Sequence, residues 1–498
     1  MTSTSHSASR VRDIVVLGAG PTGLTTALLL ARAGHAVTVL DRDPERTPPD
    51  AARAWATWSR PGVHQFRQIH IALPRWYRVM RDELPEVVTT LRQLGGREVN
   101  LLHLNPTSVT AGWRDGDERY ATVTARRPVL EAALAVVADA EPNVTVERGR
   151  RVTGLVSDRD ADGRVTVHGV RLTDRTITAD LVIDAGGRRT PVPGWLSALG
   201  AAPVIEQAPS ALSYYPRYYT GPGGPPLGTG AALVHHESYS VLTLPADNDV
   251  WSVAIVVGAG DRATRALLEV ATWEAAARAA GVPDGWLAGT PVSGVEPFGG
   301  LRDVVRDYAP GGVPVARGLL AVGDAYAATN PFLGRGLSLG AIQAVVLRDA
   351  VADGAGAGAG AVSDGYTQLL LERAAPYVQA TIGHSRHRVA QMAAETAGVA
   401  YRTDDPSWAA SSALATGLRT DPVLLRAYQE IAGALALPRE VFADPGLRQR
   451  LGPWFGSVPY PAGHPGRAAL ISAIDGHVTS ARPENGPPSP SAAPVGVP

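Results

Sequence analysis

Asp13 to Asp43 reads DIVVLGAGPTGLTTALLLARAGHAVTVLDRD. Ile14 to Leu17 is a short apolar run, the pattern of a strand buried on both faces. Gly18-Ala19-Gly20-Pro21-Thr22-Gly23 follows, and apolar residues then recur at helical spacing through Leu24, Ala27, Leu28, Leu30 and Ala31 until Gly34. Ala36 to Leu40 predicts a second strand, which ends at Asp41. The whole reads as a β-α-β unit. Its glycines permit a tight turn, close approach of the backbone to a pyrophosphate, and close helix–strand packing. The helix start offers free N–H groups and a positive dipole end to an anion. Gly18, Gly20, Pro21, Thr22 and Gly23 are the expected phosphate cradle, and Asp41, beside Arg42, the expected grip on a ribose hydroxyl. A glycine motif alone is weak in a chain with 54 glycines. Here strand, turn, helix, strand and acid all arrive at the right spacing.

Composition narrows the function classes. The 498 residues suggest roughly three domains. Formal net charge is −1 with acids and bases interleaved, so no basic stripe points to nucleic acid. No apolar run reaches the ~18 residues of a membrane span, and the first ten residues are polar, unlike a signal peptide. A cytoplasmic location is expected. There is no Cys, which excludes disulfides, thiolate metal sites, redox dithiols and a cysteinyl-linked flavin. There is no Lys either, so no step can use a lysine amine, a Schiff base or a P-loop lysine.

Along the chain, residues 44–60 read as a polar, Pro-rich loop, and Trp76 to Leu94 as an amphipathic helical stretch. Arg127-Pro128-Val129-Leu130-Glu131 opens another helix, with Pro128 suited to its first turn. Residues 144–183 alternate as a β-meander, and residues 210–260 form a second β-rich block. The expected division is a discontinuous nucleotide-binding domain over 11–199 and 313–352 and a β-rich substrate domain over 200–312. A Gly/Ala linker over 353–362, a helical region over 363–472 and a disordered tail over 473–498 complete it.

A second informative stretch is LLAVGDAYAATNPFLGRGLSLGAIQAVVLRDA, Leu319 to Ala350. A strand ends in Gly323-Asp324, a loop crosses Pro331, and Gly334-Arg335-Gly336 opens a helix. A carboxylate at a strand end suits the hydroxyls of a ribityl chain. A bare helix start suits the edge of a flat ring that gains negative charge on reduction.

With these two ends in place, the sequence resembles the aromatic-hydroxylase type of FAD-dependent monooxygenase over about residues 11–352. GDAYAATNPFLGRG followed by Arg348-Asp349-Ala350 is similar to that family's second FAD motif. The resemblance implies an α/β fold: a Rossmann-like FAD-binding domain of the glutathione-reductase type, an inserted mixed β-sheet substrate domain and a helical C-terminal region. It implies that Gly323 and Asp324 hold the ribityl chain, that Pro331, Gly334, Arg335 and Gly336 border the isoalloxazine, and that Asp41 and Arg127 contact FAD. The middle motif departs from the family. In Ile183-Asp184-Ala185-Gly186-Gly187-Arg188, Gly186 stands where the family has Asp, as in the wider superfamily's epoxidases, reductases and halogenases. Reduction by NAD(P)H is therefore expected either directly or through a separate flavin reductase.

Arg60 to His70 resembles a segment of bacterial polyketide epoxidase-like flavoproteins. It makes Arg60, His64, Gln65 and His70 candidates for an active-site rim, Arg60 also for contact with the cofactor. Among Tyr214, Tyr215, Arg217, Tyr218 and Tyr219, strand alternation puts two tyrosines on each face of a sheet expected to line the substrate pocket; Tyr215 and Arg217, with Arg60 and His64, are the candidates for catalysis. His235 and His236 are adjacent, so a strand would point them apart; no metal site is expected. Trp55-Ala56-Thr57-Trp58 only faintly echoes the tryptophan halogenases, which rely on a lysine this chain lacks.

The resemblance implies a monooxygenase that uses O2 to hydroxylate or epoxidise a lipophilic or aromatic natural-product-like small molecule through a flavin C4a-hydroperoxide, as in antibiotic biosynthesis and other secondary metabolism. A flavin dehydrogenase, oxidase or reductase acting on a lipophilic molecule is the alternative. The chain is expected to act as a monomer or homodimer.

Overall fold

The computed structural model describes residues 11–63, 65–209, 211–460 and 463–480. The opening stretch folds as β1 (Asp13–Leu17), α1 (Pro21–Arg32) and β2 (Ala36–Asp41). After a segment of short helices come α2 (Arg127–Ala140), β3 (Val144–Arg148) and β4 (Leu181–Asp184). The second sheet contributes β5 (Leu212–Thr220), β6 (Leu233–His236), β7 (Tyr239–Pro245) and β8 (Val250–Gly258), backed by α3 (Val270–Ala279). The chain then returns through β9 (Leu319–Ala321) and α4 (Gly336–Asp353). Among the C-terminal helices are α5 (Ala375–Thr396), α6 (Pro422–Ala432) and α7 (Arg467–Ser480).

The first sheet is parallel, in the order β9-β4-β1-β2-β3. Its central strands are covered on both faces, as their unbroken apolar runs require. Leu17 pairs with Leu40 and with Asp184, and Asp184 pairs with Ala321. The carboxyl ends of four strands therefore finish along one line, where open α/β sheets bind their ligands. α1, α2 and α4 pack on one side in a core that includes Leu28, Leu134 and Leu347.

The second sheet is antiparallel over β6-β7-β8-β5. One face carries Leu212, Tyr214, Leu242 and Val256 against Phe332 and Met392. The other carries Tyr215, Tyr219, Val253 and Ile255 against Trp273 of α3 and Leu470 and Ile474 of α7.

Two expectations about the chain's organisation change. The Gly/Ala run 353–362 is shorter as a linker than its composition suggests. A helix over Ala359–Arg373 takes in its last four residues, and Val362 is fully buried. Alanine favours helix once a buried anchor is available, and Arg12 Nη2 donates to the carbonyls of Gly354 and Ala357, fixing the turn. The expected disordered tail also begins too early, because residues 473–480 continue α7 and Ile474 is buried beneath the second sheet. Residues 481–498 lie outside the described residues.

Candidate functional site

The glycine turn meets its geometric demands closely. Gly18 has φ +103°, and a Cβ there would lie 2.7 Å from Ala185 O. A Cβ on Gly23 would lie 2.0 Å from Gly18 O, so only glycine lets α1 start this near β1. Gly20 faces open space. α1 begins with Pro21, without a side-chain cap and without an acid in its first turn. Its first N–H groups are left for an outside anion.

Asp41 is buried at the tip of β2. Its Oδ2 accepts from Ala19 N and from Arg60 Nη2, both at 2.7 Å, and its Oδ1 accepts from Asp43 N at 2.8 Å. Oδ1 retains a lone pair, enough for one ribose hydroxyl. Arg60 is the hub of this corner. It also reaches Asp43 at 3.1 Å, Glu131 at 2.8 Å and the carbonyl of Ala19 at 3.0 Å. These carboxylates hold its pKa above the ordinary arginine value despite burial. Arg127 pairs with the other Glu131 oxygen at 2.7 Å. Arg42 stands more exposed, over Gly62.

On the neighbouring strand ends, Gly323 takes φ +62°, and its N–H donates to Gln343 Oε1 of α4 at 2.6 Å. Asp324 is partly exposed, with Arg188 Nε 3.9 Å from its Oδ2. Arg306 donates to the carbonyls of Asp324 and Ala325, so the backbone here is held independently of the carboxylate. Pro331 and Gly334 lead into α4, which also starts without a cap or a first-turn acid. Gly334 has φ +66°, and Gly336 faces open space.

A cavity of about 890 Å³ joins these parts. It runs from the glycine turn and Asp41, past Asp184 and Gly186, to Asp324 and the Pro331–Gly336 loop. It continues into an apolar chamber walled by Ile69, Ile71, Leu233, Leu244 and Phe298. The volume suits a dinucleotide or drug-sized ligand. The residues fit FAD: two uncapped helix starts, a ribose-reaching acid and a ribityl-reaching acid line one continuous space.

Most expected positions come together in this lining: Gly18, Gly20, Pro21, Thr22, Gly23, Asp41, Arg42, Arg60, Gln65, His70, Arg127, Asp324, Pro331, Gly334 and Gly336. Gly323 sits just behind it, its would-be Cβ 2.9 Å from Thr22 Oγ1. His70 is deeply placed, its Nε2 without a partner among the described residues; burial and the charge of Arg127 pull it down to about 3. It is therefore a neutral hydrogen-bonding group. His64 lies outside the described residues.

Two expectations, Tyr215 and Arg217, are corrected. Tyr215 and Arg217 turn to the far face of β5, where Tyr215 packs on Trp273 and Arg217 pairs with Glu274 of α3. Tyr214 is the residue of that strand that lines the cavity, stacked on Phe298 at 4.3 Å with its hydroxyl given to Asn330. Alternation separates the two sets but does not say which set α3 covers. Arg335 belongs to the cavity wall, but its Nη groups are given to Thr381 Oγ1 at 3.2 Å and Ile431 O at 2.5 Å, on the side of α5 and α6. His235 and His236 do part company. His235 stacks on Phe332 at 5.7 Å, and His236 on Tyr239 at 4.5 Å.

Sequence reasoning passed over two parts of the site. Asp184 ends β4 fully buried, accepting from Gly186 N at 2.9 Å and Thr190 Oγ1 at 2.8 Å, and burial raises its pKa to about 6. Its signal was present, as the acid closing an apolar run beside the altered glycine motif. Tyr428, Gln429 and Ala432 of α6 close the chamber from the C-terminal region; an amphipathic helix carries no local mark of what it covers.

Comparison with known proteins agrees with this geometry. Residues 12–381 match the family described as FAD binding domain. A Mycobacterium tuberculosis protein, Rv3254, is 26% identical over 371 residues, covering 68% of this chain and 72% of that protein. PqsL of Pseudomonas aeruginosa, solved in complex with 2-aminobenzoylacetate, superposes with a TM-score of 0.55 at 19% identity, covering 78% of this chain and 98% of PqsL. The anhydrotetracycline hydroxylase OxyS of Streptomyces rimosus superposes with a TM-score of 0.50 at 18% identity, covering 86% of this chain and 77% of OxyS. Among the described residues no helix is long and apolar enough to cross a membrane. The chain belongs to the family described as FAD binding domain, whose model matches residues 12–381.

Proposed function

We propose that this chain is an FAD-dependent monooxygenase that places one oxygen atom from O2 on a lipophilic or aromatic small molecule, by hydroxylation or epoxidation. The observation that carries the reading is the continuity of the cavity, from the glycine turn through Asp324 and Pro331 into an apolar chamber under β5 and β7. A nucleotide site alone would need only the first half.

FAD, when bound and reduced, supplies the oxygen-activating chemistry; the protein binds, orients and shields. The N–H groups opening α1 would take the pyrophosphate, Asp41 and Arg127 the adenosine side, and Asp324 the ribityl hydroxyls. The uncapped start of α4 would favour the negative charge that a reduced ring carries. Ile69, Ile71, Leu233 and Leu244 exclude water from the chamber. His70, neutral throughout the physiological range, offers a hydrogen bond to a substrate oxygen without adding charge. The ligands named for PqsL and OxyS support an aromatic natural-product-like substrate and a place in secondary metabolism. Gly186 favours electrons arriving from NAD(P)H through a separate flavin reductase.

The test is mass spectrometry of products formed by reduced holoprotein under ¹⁸O₂ across a panel of polyketides and phenols. A product heavier by one labelled oxygen is expected. Anaerobic reduction of the bound FAD by a substrate, without label in the product, would replace the reading with a dehydrogenase or oxidase.

A further inference from the structure

The loop that leads into α4 and the helix that closes the chamber share one side chain. Arg335 is the N-cap residue of α4, between Gly334 and Gly336, and all three line the cavity. Its guanidinium runs to the side of α5 and α6, where it donates to Thr381 Oγ1 of α5 at 3.2 Å and to Ile431 O, in the last turn of α6, at 2.5 Å. The residue is 5% exposed, and no carboxylate pairs with it among the described residues. A cation on last-turn carbonyls meets the negative end of the helix dipole and fills acceptors that the helix itself leaves open.

α6 supplies the C-terminal wall of the chamber through Tyr428, Gln429 and Ala432. The chain just past its end does not keep its shape unaided. Ala434 takes φ +55°, a left-handed conformation that a Cβ disfavours. A second arginine, Arg75 at the start of the helix Pro74–Glu83, imposes it from outside the cavity. Arg75 Nε donates to Ala434 O at 2.8 Å, its Nη2 to Leu435 O at 2.7 Å and its backbone N to Gly433 O at 3.1 Å. Two anchors therefore hold one helix end, and they stand on different ground. Arg75 rests on a helix whose Trp76 and Met80 are buried in the first core. Arg335 rests on a glycine-flanked loop and an uncapped helix start, whose open N–H groups a bound flavin edge would engage.

We propose that Arg335 is a positioning residue that ties the wall of the chamber to the cofactor. FAD fixes the loop, Arg335 carries that order to the end of α6, and the chamber closes. The coupling is reciprocal, because two sites that bias one element bias each other; docking of α6 therefore tightens FAD. The inference rests on FAD filling the nucleotide limb of the cavity, not on the oxygenase reading.

Hydrogen exchange of the amides of residues 428–435, read by mass spectrometry with and without FAD, tests it. In the wild type, saturating FAD should slow exchange there by about fivefold or more. Arg335→Met at saturating FAD should exchange as fast as its own apoprotein. Arg75→Met should speed exchange in both forms and keep the slowing by FAD. A second arm leaves the loop untouched: Arg75 does not line the cavity, yet Arg75→Met should weaken FAD binding in a titration followed by flavin fluorescence. No slowing by FAD in the wild type, slowing that survives Arg335→Met, or an FAD affinity unchanged by Arg75→Met would each overturn the proposal. The wild-type comparison and the Arg75→Met titration decide the matter should Arg335→Met fail to fold. None of these readings depends on turnover, so a flavoprotein that incorporates no oxygen would sink the oxygenase reading and leave the coupling standing.

Discussion

Two carboxylates at neighbouring strand ends have opposite tasks, and their surroundings set them. Asp324 is partly exposed, and its backbone is pinned by Arg306 rather than by its own side chain. Cutting the side chain should therefore remove ligand contacts and leave the loop in place. Each lost hydrogen bond to a charged acceptor is worth about 1.5–3 kcal/mol. Asp324→Ala should emerge from purification largely colourless, with the flavin-to-protein absorbance ratio as the measurement; a fully yellow protein would remove Asp324 from the site. Asp184 is buried, with a pKa raised to about 6 because burial penalises its anion. The folded protein then binds this proton more tightly than the unfolded chain. Its stabilising contribution is complete below the unfolded value near ~4 and is lost as pH rises through about 6, on the order of 3 kcal/mol in all. Denaturant midpoints of wild type and Asp184→Asn, compared at pH 4 and pH 7, should show the wild type losing that amount relative to the variant. No relative change would mean that the anion is compensated in the fold.

At the scale of elements, the site depends on how closely α1 crosses α4. A Cβ on Gly340 would lie 2.2 Å from Thr22 Oγ1 and 3.1 Å from Thr22 Cγ2. Gly340→Ala should therefore destabilise by about 1–3 kcal/mol through overpacking and loosen the phosphate-facing start of α1. Adding Thr22→Ala removes both offending atoms and should recover most of the denaturant midpoint. A double variant as unstable as the single one would place the strain elsewhere. This crossing shows what was legible in the chain. Gly18, Gly23 and Gly323 announce themselves because a positive φ or a close approach is a local demand, met by one residue type. Asp41 and Asp324 are legible because each closes an apolar run. The orientation of Tyr215 and Arg217 was not, since alternation defines two faces and only α3, dozens of residues later, decides which is covered. Arg335 lines the cavity as its motif suggests, but where its guanidinium goes was not legible: Thr381 and Ile431 take its Nη groups.

Across the whole molecule, buried arginines tie the layers together, as a chain without lysine allows. Arg388 joins α5 to the second sheet through the carbonyls of His236 and Tyr239, and Arg426 joins α6 to Asp117 at 2.6 Å. Arg126, just before α2, joins the first layer to the second through Asp247, which is fully buried. Asp247 accepts from Arg126 N at 2.6 Å, from Nε at 3.1 Å and from Nη2 at 2.6 Å, and the same guanidinium lies 4.8 Å from the Trp55 ring. A planar fork can fill both oxygens and stack at once; an ammonium cannot. Arg126→Ala leaves a buried carboxylate with its main partner gone, and should cost about 3–5 kcal/mol. Arg126→Lys should recover only part of this. Combining Arg126→Ala with Asp247→Asn should cost less than Arg126→Ala alone, because the amide removes the buried charge and still accepts from the backbone N–H. Denaturant unfolding of the three proteins measures the order. If the double variant is the least stable of them, the pair acts by shape and not by charge, and the packing of Trp55 on Tyr218 of the second sheet holds the layers together instead.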